Sequence, residues 1–432
     1  MRRMKIRRVF SLIVPAGFLP GMLLPWCLHA ESTVRGLSMA GAYTALSRGV
    51  EAPAWNPANL GLSDNPGFSL TIFSTTVGAG NNSFNLNDIE TYQGRHWSAK
   101  ENQEILGRIP DEGFNLLGTV AVQTLSFSTG RMAFTLELAA DARARLDRTV
   151  FALILNGNEL DKDYTFDRTG AMGTALASAA FSFGVPLDMD FADDFAVGMT
   201  FRYIQGLAHA HLDSVSSRFR TDLTRGILID GSFDAVSALG GSGFGMDFGA
   251  AVRTETGWSA GVSFQNLFTE IYWNRGIKRT FGYFRGDSIW VLNPKDDAEE
   301  SAFEDSICTE EGIPFLEGLP VVMRLGVAYE RGRLVFSADY RQGFAEGSFA
   351  TKRPRFSLGL EWHGIRWLPL RMGMVLGGRS GFGTALGLGI HPGSFMLDVG
   401  LLNRGLFFPK TMKGLTLGVN LAYFSDHPAK KP

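Results

Sequence analysis

Period-two alternation, repeated along most of the chain, is what most limits the folds open to this sequence. The clearest case lies near its end: Leu415, Leu417, Val419, Leu421 and Tyr423 share one parity, and Thr416, Gly418, Asn420 and Ala422 the other. Successive side chains of a strand face opposite sides of a sheet, so this run has one apolar face and one polar or small face. The same rule puts Val197, Met199, Phe201 and Tyr203 on one side, with Met246, Phe248, Ala250 and Val252 and with Val321, Met323, Leu325, Val327 and Tyr329. Leu334, Phe336, Ala338 and Tyr340 follow, then Phe356, Leu358, Leu360 and Trp362. The opposite parity carries Glu137, Asp141, Arg143, Arg202, Asp247, Arg324, Asp339, Arg341, Glu361, Arg371 and Asp398.

Strand-like runs come in pairs. Tight turns at 129–131, 254–256, 330–332 and 392–393 join 117–128 to 132–145, 243–253 to 257–268, 319–329 to 333–343, and 383–391 to 394–403. Looser pairs are 169–184 with 193–206 and 354–363 with 367–378. With 67–77 opening and 414–424 closing, the count is about 14 strands, each near the roughly 9–11 residues that cross a bilayer at a tilt. Between the pairs run loops at 78–116, 146–168, 207–242, 269–318, 344–353, 379–382 and 404–413. Short turns on one side and longer loops on the other are the pattern of a membrane barrel with both termini in the periplasm. A charge at the lipid midplane of such a barrel costs about 2–4 kcal/mol, so the eleven charges above are expected in the lumen. Trp258, Tyr329, Trp362 and Tyr423 fall at periplasmic strand ends and Tyr203 and Tyr340 at outer ends, as aromatic girdles do.

Arg2, Arg3, Lys5, Arg7 and Arg8, then an apolar run from Val9 to Leu24, then Leu28-His29-Ala30, read as a secretory signal peptide over residues 1–30. Leu24-Pro25-Trp26 ahead of Cys27 lacks the small residues of a lipidation site. After cleavage only Cys308 remains, so no disulfide forms within the chain. The balance of 41 basic and 43 acidic residues gives no reason to expect nucleic acid as a partner. The 52 glycines weaken helices but suit curved sheets and crowded inner walls.

Two strands are irregular by this reading. In 117–128 the parity slips between Val120, Val122 and Leu125, Phe127, which points to a bulge. In 169–184 both faces are small, and the run is either a strand against which something packs closely or an alanine-rich helix. Residues 31–66 are too rich in small residues for a spanning strand. They read as short helical pieces, one with Asn56 as N-cap and Pro57 at the first helical position. With no core of its own, this segment is expected inside the lumen.

Other constellations carry little chemistry. Gly241, Gly243 and Gly245 open a strand rather than a strand-to-helix turn, so they do not form a phosphate loop. His209 and His211 stand two apart in an expected outer loop, and nothing completes a metal site there. His391 faces inward with no evident serine partner, so no enzyme, cofactor or metal is expected. Asp296, Asp297, Glu299, Glu300, Glu304, Asp305, Glu310 and Glu311 form a solvated outer loop, or else bridge divalent cations to lipopolysaccharide. The inward charges either brace the wall against the plug or line a polar path. Met172 and Leu176 are the inward apolar residues suited to a hydrophobic conduit.

The motifs add a resemblance. Thr416 to Phe424 resembles the C-terminal insertion signal of bacterial outer-membrane barrels, with Gly418, Leu421 and Tyr423 in its key positions. Gly41-Ala42-Tyr43-Thr44-Ala45-Leu46 followed by Trp55-Asn56-Pro57-Ala58-Asn59-Leu60 resembles the N-terminal hatch of the FadL superfamily of long-chain fatty acid transporters. Residues 243–249, 263–267 and 368–373 resemble strand motifs of that superfamily, including its PorV-like branch, whereas loop 78–116 departs from the transporters. The resemblance implies an all-β fold: an antiparallel barrel of about 14 strands spanning the bacterial outer membrane, with a small helical hatch in its lumen. The implied organisation is a signal peptide at 1–30, a hatch at 31–66 shaped by Gly41, Asn56, Pro57 and Ala58, a barrel at 67–424 and a periplasmic tail at 425–432. It also implies partners: outer-membrane lipid, the barrel-assembly machinery, and either a hydrophobic ligand or a secreted protein. In the first case the chain transports hydrophobic small molecules such as long-chain fatty acids, with 117–128 the place for a lateral gap. In the second it is a PorV-like surface scaffold for secreted proteins.

Overall fold

The computed structural model describes residues 33–94, 96–190, 192–289, 303–379, 381–406 and 409–425. The expected signal peptide, residues 296–300 of the acidic loop and residues 426–432 of the tail lie outside them. No helix among the described residues is long and apolar enough to cross a membrane. The chain crosses with strands.

The first strands are β1 (Phe68–Asn81), β2 (Phe114–Thr129), β3 (Met132–Leu146), β4 (Gly170–Met189) and β5 (Ala192–Asp222). Then come β6 (Gly226–Ala238), β7 (Gly241–Arg253), β8 (Trp258–Trp273), β9 (Lys278–Ile289), β10 (Phe303–Glu311), β11 (Phe315–Gly318) and β12 (Val322–Arg331). The last are β13 (Leu334–Gly343), β14 (Arg355–Trp362), β15 (Leu370–Gly377), β16 (Gly383–Ile390), β17 (Phe395–Arg404) and β18 (Gly414–Phe424). All ladders between them are antiparallel, and β1 pairs with both β2 and β18, which closes the sheet on itself. Closure removes every edge within the membrane, where an unpaired main-chain group has no water to bond.

Several segments are halves of one wall strand. β6 and β7 run in succession along β5, the first against its upper part and the second against its lower part. β9 continues β8, and β10, β11 and β12 descend along that pair. Counted this way the wall is a 14-strand barrel, and the sequence-derived strands match its members one for one. The stretch at 169–184 is strand β4, not a helix. Two expected loops are corrected: 207–242 and much of 269–318 are strand, carrying the wall up beyond the other rims. One face of that part carries Arg218, Asp222, Asp230 and Asp234, and the other carries Ile227, Ile229, Phe233 and Ala235, so on β6 the alternation was there to be read.

Facing follows parity. On β18, Leu417, Val419 and Leu421 are exposed on the outer wall, while Thr416, Gly418, Asn420 and Ala422 are buried toward the lumen. Trp258 of β8 stacks on Tyr329 of β12 with ring centroids 4.6 Å apart, at the tight-turn end of the wall. The turns there use left-handed glycines, Gly130 at φ +56° and Gly332 at φ +64°, where a side chain would be strained.

Residues 33–66 lie inside the cylinder. They comprise α1 (Val34–Ser38) and two 3-10 helices, Gly49–Ala54 and Pro57–Gly61. The second is capped as its sequence suggests: the Asn56 side chain accepts from the Ala58 N–H at 3.1 Å, and Pro57 takes the first position, where no donor is needed. Outer connections carry α2 (Leu86–Tyr92) and α3 (Ala99–Arg108), each opened by a capping box, and α4 (Arg148–Asn156).

Candidate functional site: a plugged lumen

The plug has its own small core. Met39, Tyr43 and Trp55 pack together without solvent exposure, the two rings edge to face at 5.5 Å, and Trp55 Nε1 donates to Thr33 Oγ1 at 3.0 Å. Gly41 turns the chain out of α1 at φ +88°, a conformation that favours glycine.

A belt of inward glycines lets this plug reach the wall. Gly184, Gly198, Gly249 and Gly261 receive the segment from Asn56 to Gly61, and Gly326 receives Thr44 and Ala45. Gly359 and Gly373 lie against Met39, Gly387 and Gly400 against Ser38, and Gly418 against Leu37 and Val34. Many are direct cross-strand partners: Gly184 with Gly198, Gly198 with Gly249, Gly261 with Gly326, Gly359 with Gly373, and Gly387 with Gly400, which in turn pairs Gly418. At each position a Cβ would meet plug atoms at 2.9 Å or closer: main chain at Gly184, Gly198 and Gly373, and side chains of the plug at the others. Where glycine is missing, polar side chains take over. Ser337 donates to the Ala42 carbonyl at 2.8 Å, Asp339 accepts from the Thr44 N–H at 2.9 Å, and Ser69 accepts from the Val50 N–H at 2.8 Å. Sequence reasoning missed the belt, although its signal was available: glycine at lumen parity in strand after strand.

The inward charges divide into three groups. The first ties plug to wall. Arg35 of α1 meets Glu361 at 3.3 Å and Glu51 at 3.9 Å, and Glu51 accepts from the Tyr43 hydroxyl at 2.7 Å. Glu361 is paired with Arg371, Arg371 Nη1 reaches Asp398 Oδ1 at 2.6 Å, and His391 and Asn420 also reach Asp398, at 2.9 and 3.4 Å. His391 therefore has a partner that the sequence reading did not see. Arg324 lies over the Trp55 ring, 4.4 Å from its centroid. Arg35, Tyr43 and Glu51 were not singled out from sequence because their wall partners lie hundreds of residues away.

The second group patches a break in the wall. Along β8 the pairing with β7 slips twice, from Phe248↔Phe264 to Met246↔Leu267 to Phe244↔Glu270. Asn266 and Phe268 take left-handed φ of +60° and +53°, and Phe268 is 87% exposed on the outer wall. Side chains replace the lost ladder: Asp247 accepts from the Asn266 N–H at 2.8 Å and from Arg202 at 2.6 Å, and Asn266 Nδ2 donates to the Pro320 carbonyl at 3.2 Å. Glu137 is half-buried on β3 and faces the same lumen. The expected bulge in 117–128 is present at Leu125, φ +45°, between pairs Thr124↔Leu136 and Phe127↔Phe134. It is closed rather than open: Ser126 Oγ accepts from the Leu136 N–H at 2.9 Å.

The third group sits above the plug. Loop 344–353 turns into the lumen, where Arg341 donates to the Phe349 carbonyl at 3.0 Å and Arg379 to the carbonyls of Gly347 and Ala350. Arg379 lies 3.7 Å from Asp141, and Arg143 lies 4.0 Å from Glu346. Beside this loop is an apolar cluster of Leu176, Ile204, Ile271, Trp273, Ile277 and Leu319, joined by Phe349. His209 borders it. It lies on strand β5, not in a loop, and is buried against Thr174 at 2.9 Å and His211 at 2.8 Å. Among the described residues no group of three or more metal-ligating side chains is assembled.

A family model matches residues 57–235 and 225–400. The chain belongs to that family, described as a family of unknown function (DUF5723). This DUF5723 member is similar in structure to the P. putida toluene transporter TodX, with 10% sequence identity and a TM-score of 0.50, covering 92% of this chain and 100% of that one. It is also similar to a Pseudomonas aeruginosa FadL homologue, with 12% identity and a TM-score of 0.50, covering 93% and 100%. A comparison with curated proteins finds no match. At such identities the likeness is one of fold. Fold, closure and apolar outer wall make this DUF5723 member a FadL-like β-barrel of the bacterial outer membrane.

Proposed function

We propose that the protein is a plugged outer-membrane transporter for hydrophobic small molecules, with residues 31–66 as the hatch, and that it has no enzymatic role. The supporting observation is the apolar cluster around Leu176, Ile204, Ile271, Trp273 and Leu319, held inside the lumen above the hatch. Two of its members, Ile271 and Trp273, follow the break at Gln265–Thr269 directly on β8. Left-handed backbone at a residue such as Phe268 costs about 1–3 kcal/mol and tends to persist where a wall has work to do. A hydrophobic molecule entering from outside would rest on the cluster and leave sideways past β8 to the lipid, avoiding the charged plug. Long-chain fatty acids and monoaromatic hydrocarbons both fit this chemistry.

The test is uptake of radiolabelled oleate, and separately of toluene, by cells expressing the full chain. Compared with cells carrying an Ile204→Asp, Ile271→Asp variant that still inserts, uptake is expected to rise several-fold for at least one probe. Equal uptake of both by wild type and variant overturns the reading. Surface scaffolding of secreted proteins is then the alternative, favoured by the height of the wall at β5, β6, β9 and β10.

A further inference from the structure

The upper parts of four wall strands leave the barrel as a sheet of their own. β5 pairs with β6, β6 with β9 and β9 with β10, and from His209 to Asp222 the sheet runs roughly 45 Å along the strand at the usual rise. Its two edges are treated differently. The β5 edge is covered by the chain itself: Leu160 bridges Thr221, Tyr164 and Phe219 exchange main-chain bonds at 2.8 Å, and Ser217 Oγ accepts from the Phe166 N–H at 2.9 Å.

The β10 edge is bare. Among the described residues β10 pairs on one side only, in unbroken register from Phe303↔Gly286 to Glu311↔Lys278. Every residue from 304 to 311 is exposed. Natural sheets blunt such an edge with a short strand, charged side chains (lysine above all), a proline or a bulge, because its unpaired N–H and C=O groups invite another strand. β10 is not short, at nine residues, and has no Pro, no Lys or Arg and no register shift; what protects it is carboxylates alone, which turn away an acidic strand and attract a basic one. It does carry a charge pattern, Glu304 and Asp305 at one end, Glu310 and Glu311 at the other, and Ile307 between them. Arg279 on β9 is already held by Asp234, with Nε 3.0 Å from Oδ2.

We infer that β10 is a docking edge for an extended basic segment of another polypeptide, which adds to the sheet as its next strand. Main-chain hydrogen bonds supply the affinity, and side chains at alternate positions supply the choice of partner. Residues directly opposite across a new ladder attract when their charges are opposite and repel when they are alike. The partner segment therefore carries Lys or Arg pairs at both ends and a β-branched or apolar centre. Such a role is independent of transport through the lumen.

Cys308 lies in the middle of β10 as an exposed free thiol and gives a direct readout. The probe is a nine-residue peptide with two lysines at each end, valine and threonine between, and one central cysteine. Mixed with the full chain in detergent micelles at low salt, it is expected to bind, to slow amide exchange within 303–311, and to form a disulfide with Cys308 under mild oxidation. The same peptide methylated on alternate backbone nitrogens should bind about tenfold more weakly, as should the unmodified peptide with the Glu304→Lys, Glu310→Lys double variant. Absence of binding overturns the inference. So does equal binding of the methylated peptide, which would mark a merely acidic surface, or protection that falls outside β10.

Discussion

Asn56 of the plug donates through Nδ2 to the Ala250 carbonyl of the wall at 2.9 Å, and it reaches that carbonyl between two residues with no side chain, Gly249 and Gly261. The notch and the residue that fills it lie nearly 200 positions apart in sequence. A Cβ at Gly249 would overlap Asn56 Oδ1, and one at Gly261 would stand 2.6 Å from Asn56 Nδ2. Overfilling a packed site costs about 1–3 kcal/mol. Gly249→Val is therefore expected to lower the unfolding temperature in detergent and to expose residues 33–66 to protease. Part of that loss should return in an Asn56→Gly background, since the clash is shared. A double-mutant cycle with no coupling between the two sites would show that the plug is not seated there.

The strands were legible because every wall residue must choose lipid or lumen, and a period of two records that choice. Leu417, Val419 and Leu421 on β18 and Arg371 and Asp398 on the inner face obey it. Above the membrane the lipid no longer enforces the choice, so β9 and β10 left little parity to read, although β6 still alternates from Ile227 to Ala235. The plug was legible as a capped segment at Asn56 and Pro57, but its wall contacts were not. Arg35 and Glu361 are separated by 326 residues, and only a barrel register brings them to 3.3 Å. His391 could have been paired with Asp398 from sequence, since the two flank a tight hairpin turn.

Arg371 is the hinge of the buried charge network. It is paired with Glu361, and its side chain and that of Asp398 have no solvent exposure. Removing one member of such a set leaves the others charged and buried, which costs about 3–5 kcal/mol. Arg371→Met should destabilise the barrel by that order, read as a loss of heat-resistant migration in gels. Replacing Glu361 with Gln and Asp398 with Asn in the same chain should recover part of the loss, because the two carboxylates left by Arg371 are neutralised and Arg35 keeps Glu51. If the single substitution is silent, the network is solvated and holds nothing.

Ser126 closes the bulge in β2. Its hydroxyl accepts from the Leu136 N–H at 2.9 Å and donates to the Thr124 carbonyl at 3.1 Å, standing in for ladder bonds that Leu125 interrupts. Ser126→Ala leaves a buried donor without a partner, at a cost of about 1–3 kcal/mol. Hydrogen exchange at Leu136 should rise while its neighbours Glu137 and Leu138 change little. A uniform change along β3, or none, would mean that water or a shifted strand satisfies the bond instead.

Glu51 makes the seating of the plug depend on pH. Burial raises its carboxyl above the ordinary glutamate range, against the pull of Arg35 and of the Tyr43 hydroxyl. A folded carboxyl that binds its proton more tightly than the unfolded one contributes stability that is complete below the unfolded value, about 4.3, and is lost as pH rises through the folded value. The amides of the plug should therefore be better protected at pH 5 than at pH 8, once exchange is divided by the intrinsic, base-catalysed rate at each pH. His363 and His391 contact Glu361 and Asp398 in the same network, so wild type alone does not isolate the glutamate. Glu51→Gln does, since an amide can still accept from Tyr43 but no longer titrates. The difference in protection between the two pH values should shrink in this variant, with protection at pH 8 raised toward its value at pH 5. An unchanged pH dependence in Glu51→Gln would show that Glu51 does not set the seating of the plug.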